Sequence, residues 1–215
     1  MVSSEKFSST LKSLANRRIG AVTLLGFASG LPLALTGGTL QAWMTVEGVD
    51  LKTIGLFTLV GLPYTLKFLW APILDRYALP LLGRRRGWIL FTQFALIGLI
   101  FGLSLTSPKN TPWLVALLAL LLTFTSASQD IVIDAYRTDV LREKERGLGV
   151  AVSVSGYRVA MLVSGALALI LADPLGWRLT YMLMAGLMLI GTMATLFAPE
   201  PEDAGRPPTS LSEAV

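Results

Sequence analysis

Residues 113–135 read WLVALLALLLTFTSASQDIVIDA. From Trp113 to Leu122 no side chain except the Trp113 indole can form a hydrogen bond. The second half of the run is different. It carries Thr123, Thr125, Ser126, Ser128 and Gln129, and then two carboxylates, Asp130 and Asp134. A helix needs about 20 residues, at about 1.5 Å each, to cross a hydrocarbon core about 30 Å thick. This run has that length. Asp130 and Asp134 are four residues apart and therefore share one helix face. A charge at membrane depth needs a partner or water, so an apolar helix carrying two of them belongs inside a polytopic bundle.

The rest of the chain agrees. Of 215 residues, 53% are hydrophobic and only 15% are charged. Soluble domains carry about 25% charged residues, because charges cover a water-facing surface. The deficit excludes a disordered chain, a secreted disulfide scaffold and an ordinary cytosolic enzyme. The length has room for six crossings and not for twelve. There is no cysteine and no histidine. Zinc, haem and iron–sulfur chemistry lose their usual ligands, and so do His-dependent nucleophilic sites. The sequence calls for no cofactor and no metal, and an intramembrane enzyme finds no nucleophile motif.

The apolar runs predict an all-α membrane protein with six transmembrane helices. These spans lie near 19–44, 53–74, 88–106, 113–135, 148–171 and 177–197. Residues 1–18 form a cytoplasmic N-terminal segment and 19–198 the bundle. Residues 199–215, rich in proline and acidic side chains, form a disordered cytoplasmic tail that begins a linker. The basic residues set the direction. Thirteen lysines and arginines fall on one side of the predicted spans and three on the other. That asymmetry places both termini in the cytoplasm. Trp43, Trp88, Trp113 and Trp177 stand at span ends, as interfacial tryptophans do. The net charge of +4 therefore reports topology and not a nucleic-acid partner.

Two basic residues remain, Lys67 and Arg158, and both lie within spans. Counted from the basic ends of their helices, Lys67, Asp130 and Arg158 sit at a common depth, roughly 10–16 Å from the surface. The expectation is a polar layer built by spans two, four and five. Gln129, Tyr157 and Tyr136 are placed to extend it. Two close carboxylates in a low dielectric cannot both ionise cheaply, which suits a proton carrier. The alternative is a set of internal ion pairs that only holds helices together. For Asp134 a further alternative is snorkelling to the interface. Spans three and six carry little polarity, with Gln93 the strongest group, and are expected to face lipid.

Small residues complete the pattern. Gly26 and Gly30 lie four apart in span one, and Gly156, Ala160, Ser164 and Ala168 form a row in span five. Such rows let helices approach closely. Pro32 and Pro63 are expected to bend spans one and two. Ser29, Thr36, Thr39 and Gln41 give span one a mildly polar face.

The stretch Asp75-Arg76, followed by Gly83-Arg84-Arg85-Arg86, resembles the loop signature of the major facilitator superfamily. The resemblance implies that Asp75, Arg76, Arg84 and Arg85 gate the cytoplasmic side. Ala71 stands in place of the signature's leading glycine, and residues 78–82 are an insertion. Longer stretches are similar to the AmpG-type muropeptide permeases of that superfamily. They are GFASGLPLAL at 26–35, LQAWM at 40–44, KFLWAP at 67–72 and SASQDIVID at 126–134. The resemblance implies the N-terminal half of a major facilitator fold in the bacterial inner membrane. It implies proton-coupled import of anhydromuropeptides, which feeds peptidoglycan recycling and β-lactamase induction. Asp130 and Asp134 would then carry the proton, and Lys67, Gln129, Tyr157 and Arg158 would meet the substrate. The partners implied are the muropeptide, protons and the bilayer. A C-terminal six-helix half or a second copy would supply the opposite wall, since alternating access needs two halves. Open alternatives are a truncated or partner-dependent subunit without transport of its own, and a carrier of another peptide or sugar-type solute.

Overall fold

The computed structural model describes residues 16–77 and 83–200. The expectations for residues 1–15, for the 78–82 insertion and for the tail beyond 200 lie outside the described residues. So does the side chain of Arg84. Among the described residues there are helices and no strands. Four helices are long and apolar enough to cross a membrane: Arg17–Val46, Arg85–Ser104, Pro112–Val140 and Glu143–Phe197.

The first of these is two helices, α1 (Arg17–Thr36) and α2 (Gly38–Val46). Asn16 caps α1, its side chain accepting from the Arg18 amide at 3.1 Å. Pro32 lies inside α1, and the actual break comes at Gly37, with φ −96° and ψ −115°. Pro32 has no N–H to donate. The Thr36 hydroxyl donates to the Pro32 carbonyl at 3.1 Å, closing that turn.

The second predicted span is helical but broken. It runs as α3 (Leu51–Leu56), a 3₁₀ turn (Phe57–Gly61), α4 (Leu62–Leu66), a second 3₁₀ turn (Lys67–Leu69) and α5 (Ala71–Arg76). Gly55, Gly61, Pro63 and Pro72 interrupt it, each at a cost to a regular helix. Asp50 caps α3 through the Thr53 hydroxyl (2.6 Å) and amide (2.9 Å). Those two bonds hold its carboxyl below the usual carboxylate range.

Next come α6 (Arg84–Ser104), α7 (Pro112–Val140) and α8 (Arg146–Leu162), a π turn (Val163–Leu167) and α9 (Ala168–Phe197). The continuous segment Glu143–Phe197 has 55 residues. Straight, it would be about 80 Å long, far more than one crossing. Gly176 breaks it, with φ +78° and ψ +160°. Only glycine takes that conformation without strain.

α1 is the central helix and packs against α7, α8 and α9. The seam with α8 is the tightest. A Cβ on Gly26 would run into the Ser153 carbonyl, one on Gly30 into the Tyr157 carbonyl, and one on Gly156 into the Thr23 carbonyl. The row Gly156, Ala160, Ser164 and Ala168 is buried along its whole length. The Thr39 hydroxyl crosses to the Ser164 carbonyl at 2.7 Å.

α6 and α9 differ in part from the expectation for the third and sixth spans. Each presents apolar side chains outward, Phe91, Phe94 and Phe101 on one and Leu183, Leu189 and Met193 on the other. Yet they also pack on each other around buried polarity. The Thr195 hydroxyl donates to Gln93 Oε1 at 2.9 Å, and both side chains are fully buried. Threonines in an apolar run are easily passed over, because their hydroxyls can bond back to the helix.

Candidate functional site

A cavity of about 980 Å³ lies between α1, α7, α8 and the 3₁₀ turn at Lys67. Ser29, Lys67, Asp130, Asp134, Tyr157 and Arg158 all line it. The polar layer expected from spans two, four and five is therefore a real meeting point. No residue of α6 or α9 takes part.

The elements explain the convergence. The glycine seam brings α1 and α8 into contact and sets Ser29 and Tyr157 side by side on the wall. The broken second span lets Lys67 reach inward from a 3₁₀ turn. α7 contributes Asp130 and Asp134, one turn apart. The Ser29 hydroxyl donates to the Asp130 carboxylate. Lys67 lines the same cavity and forms no ion pair with that carboxylate. Asp134 is paired to Arg137 Nη2 at 2.9 Å, and Arg137 Nη1 reaches the Ser153 hydroxyl at 3.3 Å. Neither Lys67 nor Arg158 has a hydrogen bond or an ion pair among the described residues. Two cations thus line open space, where an anion would satisfy them.

Other expected residues lie elsewhere. Gln129 is fully buried and does not line the cavity; its Nε2 donates to the Ala28 carbonyl at 3.3 Å, within the α1–α7 contact. Its Oε1 has no hydrogen-bond partner. Tyr136 does not extend the charged network. Its hydroxyl donates to the Pro199 carbonyl at 2.7 Å, at the basic end of the bundle. Two further residues take part that the sequence pattern does not assign to the site. Arg137 lines the cavity, and the three-residue spacing from Asp134 was the available clue. Tyr64 bonds the Ser126 hydroxyl at 2.9 Å and ties the second span to α7.

The basic end carries a separate set of charges. Arg85 holds Asp75 of α5 and, through Nε at 3.1 Å, Asp139 of α7. This clamp joins the second and fourth predicted spans. Asp139 was not expected in it, because sequence spacing gives no hint of a contact between helices. Arg86 donates to the Thr195 carbonyl at 3.1 Å and the Leu196 carbonyl at 2.9 Å, and pairs with Glu200 at 3.3 Å. Arg17 donates to the Phe197 carbonyl at 2.9 Å. Both arginines thus satisfy carbonyls left over at the end of α9. Gly83, at φ +83°, starts α6, and a Cβ there would collide with the Glu200 carboxylate. Arg76 takes no part in the clamp. It is exposed, with its guanidinium 5.7 Å from the centre of the Tyr77 ring.

Among the described residues an all-helical, strongly apolar bundle surrounds a charged cavity, the architecture of a multi-pass membrane protein. The family model of the Major Facilitator Superfamily matches residues 22–214, and the chain belongs to that superfamily. It is similar to the anhydromuropeptide permease of Escherichia coli strain K12, with 55% identity over 97% of this chain and 43% of the permease. The anhydromuropeptide permease of Escherichia coli O157:H7 gives the same values. An uncharacterized protein of Haemophilus influenzae is 44% identical over 91% of this chain and 46% of its own length. The resemblance to AmpG-type permeases, read first from four motifs, is borne out over nearly the whole chain. The chain spans less than half the length of these curated relatives. Its place is the inner membrane, and its family is one of transporters and not of enzymes.

Proposed function

We propose that this chain forms one six-helix half of a proton-coupled importer of anhydromuropeptides. The observation that carries the reading is the cavity of about 980 Å³, where two cations without an ion pair among the described residues are set against two carboxylates. A muropeptide brings peptide carboxylates and a bulky sugar. Lys67 and Arg158 receive the carboxylates, and Tyr157 offers its ring and hydroxyl to the sugar. Asp130, held by Ser29, takes and releases the proton. Asp134 exchanges its Arg137 partner as that charge changes. Gln129, behind Asp130, positions that turn of α7. The name of the Escherichia coli relatives, anhydromuropeptide permease, supports the substrate class.

The chain crosses the membrane six times in this reading, the broken second span counting once and the Gly176 kink separating the last two. Both termini are cytoplasmic, following the basic residues. The cavity is open beside α8, where Arg158 and Leu162 are exposed. A second six-helix half, covalent or separate, or a second copy, closes that side, and rocking of the halves gives alternating access. The Arg85 clamp and its neighbours Arg76 and Arg84 gate the cytoplasmic mouth.

The test is uptake of labelled anhydromuropeptide into permease-deficient cells. We expect no uptake above background from the chain alone, and pH-driven uptake when a facing half is co-expressed. Paired halves that neither bind nor take up the muropeptide would overturn the substrate assignment.

A further inference from the structure

A second cavity, about 290 Å³, lies between α5, α6 and α7. Phe124, Thr125 and Ser128 line it, on the face of α7 opposite Asp130 and Asp134, as 100° per residue requires. Leu74 is buried at its floor. Its walls are two aromatic pairs. Trp70 and Phe124 have ring centres 4.7 Å apart, and Trp88 and Phe91 are 6.0 Å apart, edge to face. Ile73, Phe91 and Phe124 stand exposed at its rim.

Every polar group in this groove already has a partner. Trp70 Nε1 donates to the Ser128 hydroxyl at 3.0 Å, which itself donates to the Phe124 carbonyl at 2.8 Å. The Thr92 hydroxyl bonds the Trp88 carbonyl at 2.9 Å, and the Thr125 hydroxyl the Leu121 carbonyl at 2.8 Å. Trp88 Nε1 donates to the Tyr77 carbonyl at 2.6 Å. A ligand rich in donors and acceptors would lose its water there and gain nothing. A hydrocarbon chain loses nothing.

The mouth has the opposite character. Arg76 ends α5 three residues after Ile73 and does not itself line the groove. Arg76 rests over Tyr77, whose carbonyl holds the Trp88 indole of the groove. Among the described residues Arg76 forms no ion pair, and the neighbouring Asp75 carboxylate is paired to Arg85, which also holds Asp139. An apolar trough with an exposed cation beside its Tyr77 end is complementary to an anionic amphiphile.

We propose that this groove binds one bilayer phospholipid with an anionic headgroup, its acyl chain between the two aromatic pairs and its phosphate on Arg76. The inference rests on the orientation given above, which sets Arg76 in the cytoplasmic headgroup layer. Basic clefts between helices on that side recruit anionic lipid.

Trp70 and Trp88 supply the reporter. The full chain is reconstituted in phosphatidylcholine vesicles with a small fraction of phosphatidylglycerol whose acyl chains carry bromine, a tryptophan quencher. The control uses brominated phosphatidylcholine at the same fraction. We expect the brominated phosphatidylglycerol to occupy the site with about fivefold preference, the effect of one basic residue at an anionic surface. Arg76→Gln should bring its quenching down to the control level, and Ser128→Phe should remove the excess by filling the groove. Equal quenching by the two headgroups in the unmodified chain overturns the proposal. So does an excess that survives both substitutions. Circular dichroism reports whether a variant has folded; if neither does, the headgroup comparison in the unmodified chain decides. Because no transport is measured, failure here leaves the transport reading intact, and failed uptake leaves this site intact.

Discussion

Asp130 is where the chemistry of the cavity converges. It shares its turn of α7 with Asp134, accepts from Ser29 and faces the Lys67 ammonium. Asn is isosteric with Asp but carries no titratable proton. Asp130→Asn should therefore abolish uptake driven by an imposed pH gradient while leaving muropeptide binding measurable. Proton-driven uptake at the normal rate in that variant would remove Asp130 from the coupling role. Lys67 is a different case. It makes no hydrogen bond or ion pair among the described residues, so Lys67→Ala should cost the substrate a charged contact and leave the fold alone. A hydrogen bond to a charged group contributes about 1.5–3 kcal/mol, so affinity should fall at least about tenfold in a titration of purified protein. Unchanged affinity would place Lys67 outside the contact set.

The α1–α8 seam decides whether the cavity exists at all. Gly156 meets the Thr23 carbonyl and Gly26 the Ser153 carbonyl, with no room for a Cβ at either place. Gly156→Leu should separate the two helices and lower the melting temperature in detergent. Overpacking of this kind costs about 1–3 kcal/mol or more. Gly20, on the same helix as Gly26, has nothing within 4 Å of a built Cβ. Gly20→Ala should hold or slightly raise the melting temperature, because it gains helix propensity and meets no neighbour, which separates a packing effect from a helix-propensity effect. A Gly156→Leu variant as stable as the parent would mean that the seam is not tight. At the basic end the Arg85 clamp spans two helices. Removing it leaves Asp75 and Asp139 facing each other without their shared cation. Arg85→Ala should therefore loosen the contact between α5 and α7, read as faster hydrogen exchange at the end of α5.

For the whole molecule, orientation and crossing number make one measurement. The chain has no cysteine, so any introduced thiol is unique. In intact cells a membrane-impermeant maleimide should label Asn110→Cys, between α6 and α7, and not Lys144→Cys, between α7 and α8. In inverted vesicles the pattern should reverse. Labelling of both from one side would refute the six-crossing topology. Adding a facing half should protect Leu162→Cys, which is exposed at the open side of the cavity. Protection by that half, and not by an unrelated membrane protein, is the expected result.

How much was legible depends on how far apart the deciding atoms lie in the chain. The helical class, the long spans and the basic asymmetry come from runs of neighbouring residues, where bilayer thickness and hydropathy act locally. The shared face of Asp130 and Asp134 follows from helix periodicity in the same way. The glycines were visible as a pattern, but only packing turned them into a seam against particular carbonyls. Gln129 read as a substrate contact, because adjacency in sequence hides a 100° rotation that sends it into the α1–α7 interface. Arg85 with Asp139, and Thr195 with Gln93, join helices far apart in sequence, and no spacing rule reaches that distance. By itself the sequence determined what kind of medium this chain lives in and which charges must be sheltered from it. Only the tertiary structure decided which partners shelter them, because a polar group in a low dielectric takes the nearest partner in space and not the nearest in the chain.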